Sequence, residues 1–534
     1  MAKKNANAIV FGLGLVLLVP ALFYNLGLIS FIEDEGTRGI VALEMIYSGN
    51  YVVPTISGEF YFNKPPLYNW LIALSFKALG SYSNFALRLP MAICLLLYAL
   101  TVFVLLKRYI GRYKAGLVAL ATITSARVLF YDSLHGLIDI AQAWLTFTMF
   151  VLVYRFRKDK KPYLLFSFAY VLSATTYLMK GLPAIAFLGL TLLVLAIYTK
   201  NIKQFFKLPH FIGIALFVAI IGGYYWLYYG HNPDLKTVFH VLFNEAGKKT
   251  VYEDVSSTFF LHLFVFPANY IKNFVPWTLF VVLLFYRHSR QFIMKSDVLR
   301  YLSLIFFVNI LVYWLSPVVY PRYLLMFVPV SYAILIMAYY SYCEKNIACA
   351  RVFNTVYLMV LVMVSLAPMS FLFIEKAGQI PNLWAKAITM SAMSVMLVGL
   401  YFKSAADKLL LALVAFIMLR ISFNLFVLPI RHAEAWDVEE EKKARAVGRM
   451  LSGKPLYIYD EPSVYHEDDK ELLDLSLFYV SAEKGEIVKL CKERLSNTYY
   501  LVPDSGLHSF NYSKNLQIEL KGNTRGNMNL LYVE

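Results

Sequence analysis

Charge is what this 534-residue chain has least of: Asp, Glu, Lys and Arg together make up 16% of it, against about a quarter in soluble globular proteins. That scarcity excludes an ordinary soluble enzyme. Cysteine is scarce as well, with four residues and no CxxC or metal-type spacing. Cys94 lies within an apolar run, Cys343 and Cys349 at a helix end assigned to the cytoplasm, and Cys491 alone near the C-terminus. Neither disulfides nor a cysteine zinc site is expected from them. A glycine-rich phosphate loop is missing too. Gly12 and Gly14 sit inside an apolar run, where small residues serve helix packing, so no nucleotide site is expected.

What is present is hydrophobicity, 59% of all residues, gathered in runs of about twenty residues, the length a bilayer asks for. Thirteen candidate spans lie near 9–29, 87–106, 115–131, 138–154, 162–179, 182–199, 209–229, 261–286, 301–316, 322–342, 352–374, 383–402 and 409–429. The first run is too long for a signal-peptide core and no small-x-small cleavage site follows it, so an uncleaved span is expected. Residues 30–86 are amphipathic rather than continuously apolar, and from about His432 the chain turns charged and mixed. The expected fold is an all-α polytopic membrane domain over 1–431, with outer loops 30–86 and 230–260, and a small soluble α/β domain over 432–534.

The formal net charge of +16 does not imply nucleic acid, because the basic residues form short clusters between spans rather than one binding face. Lys3/Lys4, Lys107–Lys114, Arg155–Lys161, Lys200–Lys207, Arg287–Arg300, Lys345/Arg351 and Lys403/Lys408 all fall on one side if thirteen spans is right. The loops of the other side, around 132–137, 180–181, 317–321 and 375–382, are nearly free of Lys and Arg. The positive-inside rule then puts the N-terminus in the cytoplasm and the C-terminal domain outside, on the periplasmic face of an inner membrane.

The outer side collects unusual residues. Glu33, Asp34 and Glu35 follow the first span, and a helix is expected from Gly36 to Tyr47, with Asp34 placed to cap it. Lys64 precedes Pro65-Pro66, which force an extended chain before them. Asp132, His135 and Asp139 mark the turn into the fourth span, Lys180-Gly181 turns the fifth into the sixth, Arg322 opens the tenth, and Lys272 lies in the eighth. Ionised side chains at bilayer depth cost at least about 2.5 kcal/mol, so such residues face partners or a wet cavity. A cation at the membrane surface suits a lipid phosphate, and a carboxylate beside it can take a proton from an acceptor hydroxyl or hold a divalent cation. In loop 230–260, His231, His240, Glu245, Glu253 and Asp254 match no usual ligand spacing; that loop can also serve as a lid over the acceptor.

The stretches Asp34-Glu35-Gly36-Thr37-Arg38, Tyr61-Phe62-Asn63-Lys64-Pro65-Pro66, Ala86-Leu87-Arg88-Leu89-Pro90 and Tyr320-Pro321-Arg322-Tyr323, with Asp139 and Lys180-Gly181 between them, resemble the GT-C transferases. Within these the chain is similar to the aminoarabinose lipid A transferase and protein O-mannosyltransferase group, over roughly residues 10–345. The resemblance implies thirteen spans, a polyprenyl-phosphate (undecaprenyl-type) sugar donor, and transfer on the outer face to a lipid A, glycan or protein acceptor, with membrane lipids as neighbours and no nucleic acid. It implies Asp34 as the catalytic aspartate and Asp139 as a second acid of the cavity, and Glu35 beside Asp34 is expected to be catalytic with them. It also implies Lys64 and Tyr323 at the donor phosphate and Glu245 in an outer loop; Tyr61, Arg322 and Lys272 are expected around the same phosphate, with Lys180 and Arg38 elsewhere in the cavity. No cofactor is certain, and a divalent metal is left open. Two departures stand out: Gly39 where the family has an aromatic residue, and Asn63 where a glutamate before the lysine is common. A polytopic transporter or flippase of a lipid-linked substrate is the alternative, for which inverted repeats and midplane acids are expected and not found.

The tail reads as mixed α/β, with a helix over 434–451, another over 471–479, and strands over 456–459, 498–502, 516–520 and 529–533.

Overall fold

The computed structural model describes all residues except 1, 33, 248–256, 317–318, 460–469, 505–506, 508–509 and 522–526. Glu33, Glu253, Asp254, Asp460, Glu461 and Glu467–Asp469 therefore lie outside the described residues, as does the side chain of Glu245.

The chain opens with α1 (Ala2–Phe23), an irregular stretch, and α2 (Glu35–Ser48), then a two-stranded hairpin of β1 (Thr55–Ile56) and β2 (Glu59–Phe60). Helices α3 (Leu67–Leu79), α4 (Asn84–Ile110), α5 (Arg112–Ile123), α6 (Ala126–Phe130), α7 (Asp139–Lys158), α8 (Pro162–Lys180), α9 (Pro183–Thr199) and α10 (Leu208–Tyr229) follow. Next come α11 (Leu235–Gly247), α12 (Ser257–Asn273), α13 (Arg287–Lys295), α14 (Asp297–Asn309) and α15 (Leu311–Trp314). The bundle closes with α16 (Val328–Cys343), α17 (Ile347–Ser370), α18 (Leu383–Lys403), α19 (Lys408–Ser422) and α20 (Leu428–Glu434).

Among the described residues, nine helices are long and apolar enough to cross a membrane, or ten when the pair bent by 50° between 112–123 and 126–134 is taken as one span. Every run expected from the sequence has a helical counterpart. Three fall short of that measure for visible reasons. Helix α7 carries Asp139 at one end and Arg155, Arg157 and Lys158 at the other; α9 has 17 residues; and the 261–286 run is split, α12 ending at Asn273 and a tighter 3-10 turn resuming at Trp277. The segment Pro321–Cys343 is the hub, with nearly all residues of its apolar stretch buried, and α5, α14 and the 277–285 turn pack around α16.

Two apolar helices near the chain ends lie together, α1 against α19. There Arg420 is fully buried, and its guanidinium donates to the carbonyls of Ala21 (3.1 Å) and Leu129. Cys343 and Cys349, expected to stay unpaired, are joined in a disulfide. Helix α16 ends at Cys343 and α17 starts at Ile347, so the short turn between them returns the chain and brings the two Cα atoms to 5.2 Å.

Beyond α20 come α21 (Trp436–Met450), β3 (Leu456–Tyr459), α22 (Lys470–Lys484), β4 (Lys489–Cys491), β5 (Thr498–Pro503), β6 (Lys514–Lys521) and β7 (Asn527–Val533). They form a five-stranded sheet in the order β4-β3-β5-β7-β6. Strand β3 pairs parallel with β4 and β5, whereas β7 pairs antiparallel with β5 and β6. A parallel β3–β4 pair needs a crossover, which α22 supplies. Strand β4, too short for an alternation signal, was not expected from the sequence.

Candidate functional site

Helix α2 starts at Glu35 and stops at Ser48, where Gly49 takes the left-handed conformation (φ 72°) that ends helices readily without a Cβ. Asp34 stands at its N-cap position but makes no side-chain capping bond, contrary to the capping role expected for it. Its carboxylate instead turns outward, 59% exposed, with Arg322 Nη2 3.5 Å from its Oδ2.

Arg322 is the second residue of the 3-10 segment Pro321–Phe327 at the head of the buried hub. Its Nε also lies 3.6 Å from Asp139 Oδ2, so one guanidinium spans two carboxylates. Asp139 is the first residue of α7, where the helix dipole favours negative charge. It is nearly buried and forms an ion pair with Lys180, the last residue of α8. Gly181, at φ +87°, lets α8 end there: a Cβ would come 3.8 Å from Leu242 of α11 and 4.0 Å from Pro65. The 61–66 loop, the α8–α9 turn and α11 thus meet beside the ion pair. Lys180 Nζ sits 3.9 Å above the Tyr323 ring, and the Arg322 guanidinium lies 4.8 Å from the Tyr320 ring and 5.8 Å from that of Tyr323. Tyr323, itself buried, is therefore an aromatic floor for two cations.

Arg38, one turn after Asp34, donates from Nη2 to Tyr61 Oη at 2.9 Å. This ties α2 to the loop that presents Lys64. The hairpin before that loop is held by Glu44, which accepts from Thr55 Oγ1 (2.7 Å), Ser57 N (2.5 Å) and Gly58 N (3.2 Å). Lys64 Nζ donates to the Asn63 carbonyl at 3.0 Å.

Glu35 is placed quite differently. It and Arg88 of α4 are both fully buried, with Arg88 Nε and Nη2 donating to the two carboxylate oxygens at 2.7 and 2.8 Å. Gly136 N and Ile32 N add 2.6 and 3.1 Å bonds. Burial alone would raise this carboxyl's pKa, but the charge and hydrogen bonds of Arg88, with smaller help from His135 and the Gly136 N–H, hold it below its ordinary value. A carboxylate enclosed in this way cannot touch a substrate, so Glu35 is a brace and not a catalytic group.

Arg88 was in the motif read from the sequence but had no role assigned. The missed signal was an arginine in the first two turns of an apolar span, which must find a partner at that depth. Lys272, expected near the phosphate, is an exposed residue of the last turn of α12, and no described contact links it to Asp34, Asp139 or Arg322. Glu245 lies in α11, its side chain outside the described residues. Asp132 is buried with Arg127 Nε at 3.3 Å. His231 Nδ1 lies 3.1 Å from the Leu227 carbonyl and His240 Nε2 2.9 Å from Asn244 Nδ2. Among the described residues no three metal-ligating side chains gather.

Residues 63–228 match the family described as dolichyl-phosphate-mannose-protein mannosyltransferase. A protein of Aquifex aeolicus without an assigned role is 25% identical over 218 residues, 40% of this chain and 43% of that protein. The undecaprenyl phosphate-α-4-amino-4-deoxy-L-arabinose arabinosyl transferase of Shewanella sediminis is 29% identical over 185 residues, 33% of each chain. The matched stretch thus spans less than half of either relative. The whole fold is similar to the crystal structure of ArnT from Cupriavidus metallidurans bound to undecaprenyl phosphate, with a TM-score of 0.68 at 15% identity over 98% of this chain and 97% of that one. The apo form of the same enzyme matches at a TM-score of 0.66.

Proposed function

We propose, from a chain folded like ArnT throughout its length, that it is a membrane glycosyltransferase taking its sugar from a polyprenyl-phosphate donor. The relatives' names point to an undecaprenyl-type lipid. The reading includes thirteen spans, a cytoplasmic N-terminus, and a tail on the periplasmic face of the inner membrane, with transfer to a lipid, glycan or protein acceptor on that face.

One observation carries the proposal: Arg322 holds Asp34 and Asp139 at 3.5 and 3.6 Å, longer than the 2.7–2.9 Å of charge-assisted hydrogen bonds. Its planar fork suits phosphate oxygens, and the two carboxylates place it between the exposed Asp34 and the buried Asp139. The mechanism is a direct displacement at the anomeric carbon. The acceptor oxygen attacks, the bond from the anomeric carbon to the phosphate oxygen breaks, and the configuration inverts. Asp34, exposed at the mouth, accepts the acceptor's proton. Arg322 and Lys64 receive the charge that develops on the departing polyprenyl phosphate, while Asp139 and Tyr323 hold Lys180 and Arg322 in position. Asp139 is already matched by two cations, so a divalent cation there would have to displace both; the reading gives phosphate neutralisation to side chains.

The test is transfer from radiolabelled undecaprenyl-phosphate sugars to envelope extract by purified protein in detergent. The parent should label an acceptor, while Asp34→Asn and Lys64→Ala, folded to the parent's melting temperature, should not. Equal labelling by both variants sinks the assignment. Movement of intact donor across vesicles without transfer would favour the flippase reading.

A further inference from the structure

Residues 24–32, on the way from α1 to Asp34, form neither helix nor strand, yet they are held from two sides. From the bundle, Arg88 donates to the carbonyls of Leu26 (3.0 Å), Ile29 (2.9 Å) and Ser30 (2.9 Å). From the tail, Tyr479 Oη of α22 accepts the Phe31 N–H at 3.2 Å and donates to Asn84 Oδ1 at 3.2 Å, with the Phe31 ring stacked on it at 5.1 Å. Glu441 of α21 accepts from Ser30 Oγ (2.8 Å) and Asn84 Nδ2 (3.0 Å), and is itself held by Arg445 Nε at 3.0 Å. Phe478 fills the space beside Gly39, where a Cβ would lie 2.9 Å from its ring. On the far side of the loop Leu490 N donates to the Ser57 carbonyl at 3.2 Å, so the tail also grips the hairpin that precedes Lys64.

We propose that the tail domain is a positioning element for transfer, with Tyr479 and Glu441 fixing Ser30–Phe31 and thereby the distance from Asp34 to Arg322. The proposal rests on the reading of Asp34 as the group that acts on the acceptor. Its physical basis is that Asp34 makes no side-chain capping bond and that, among the described residues, its carboxylate meets a charged partner in the long contact to Arg322, so it goes where the backbone around it is held. A displacement of 1 Å at a reacting group can cost on the order of a hundredfold in rate. Glu441 stays an anion in this position. Burial would raise its pKa, but Asn84, Arg445 and Ser30 hold it below its ordinary value.

Two conservative variants of the full chain test this. Tyr479→Phe keeps the ring and its stacking but loses both hydrogen bonds; Glu441→Gln keeps the shape but loses the charge. Each should lower kcat roughly tenfold, with the donor KM and the melting temperature close to the parent's; Tyr479→Phe with Glu441→Gln should fall further. Asp34→Asn in the same assay separates the two claims. If Asp34→Asn transfers normally, the function reading fails. If Asp34→Asn is inactive while both tail variants keep the parent's kcat, or lose melting temperature without losing kcat, the positioning role is overturned.

Discussion

Asp34 and Glu35 are neighbours in sequence with nearly the same side chain, yet they stand in opposite surroundings. Asp34 is 59% exposed and 3.5 Å from a guanidinium that it shares with Asp139. Glu35 is sealed, with both oxygens bound by Arg88 at 2.7 and 2.8 Å. The same pairing of carboxylate with arginine thus serves two ends. At Asp34 the contact is long and the carboxylate exposed; at the next residue it is short and closed, and its strength goes into holding the chain. Being charged near a membrane surface does not make a residue a reagent. The distances and the exposure decide it.

That contrast can be broken most directly by exchanging the two losses. Glu35→Ala should destabilise the protein by about 3–5 kcal/mol, because Arg88 would be left buried without its partner. Asp34→Ala should leave the melting temperature near the parent's and remove transfer. Size exclusion in detergent and a thermal melt read the first, the labelled-sugar assay the second. A folded but inactive Glu35→Ala would make Glu35 a reagent and undo the distinction. Next in size, Arg322→Ala should lower kcat roughly a hundredfold or more, as loss of one charge-stabilising donor does. Arg322→Lys should recover only part of that, since an ammonium lacks the fork.

The buried pair should also leave a mark in acid. Glu35 has its carboxyl held below the ordinary value of 4.5, so its contribution is complete above that pH and is lost as pH falls through the lowered folded-state pKa. The melting temperature of the parent should therefore decline as pH is taken below about 4.5, and Glu35→Gln should show a shallower decline from a lower start. An unchanged acid limb in Glu35→Gln would mean that other carboxylates set it. The smallest effect concerns the helix that carries Arg88. Ser83 Oγ accepts from Ala86 N at 3.3 Å to cap α4, and Ser83→Ala should cost about 1 kcal/mol, seen in the melt and not in kcat.

Apolar runs were enough to place a helical segment in every expected run, because the bilayer imposes length and composition on each one separately. Convergence is another matter. Asp34, Asp139, Lys180 and Arg322 were all legible as polar residues at helix ends, but their pairing depends on how α7, α8 and the hub pack, which no local pattern encodes. For the same reason Glu35 was misread as a reagent, since its partner Arg88 lies 53 residues away, and Lys272 was placed with the phosphate merely for being a cation inside an apolar run. In the tail, four strands were visible from alternating apolar residues. The three-residue β4 was not, because its pairing with β3 and with Ser57 comes from the fold around it.

Gly39 carries a consequence for anyone who builds hybrids from this chain. The hollow it leaves is filled by Phe478, more than four hundred residues downstream, so the missing side chain and the inserted ring are one choice made at two places. A foreign C-terminal module grafted onto residues 1–431 would have to bring a ring to that hollow as well as partners for Ser30 and Phe31. Without the ring, residue 39 has to be re-chosen along with it.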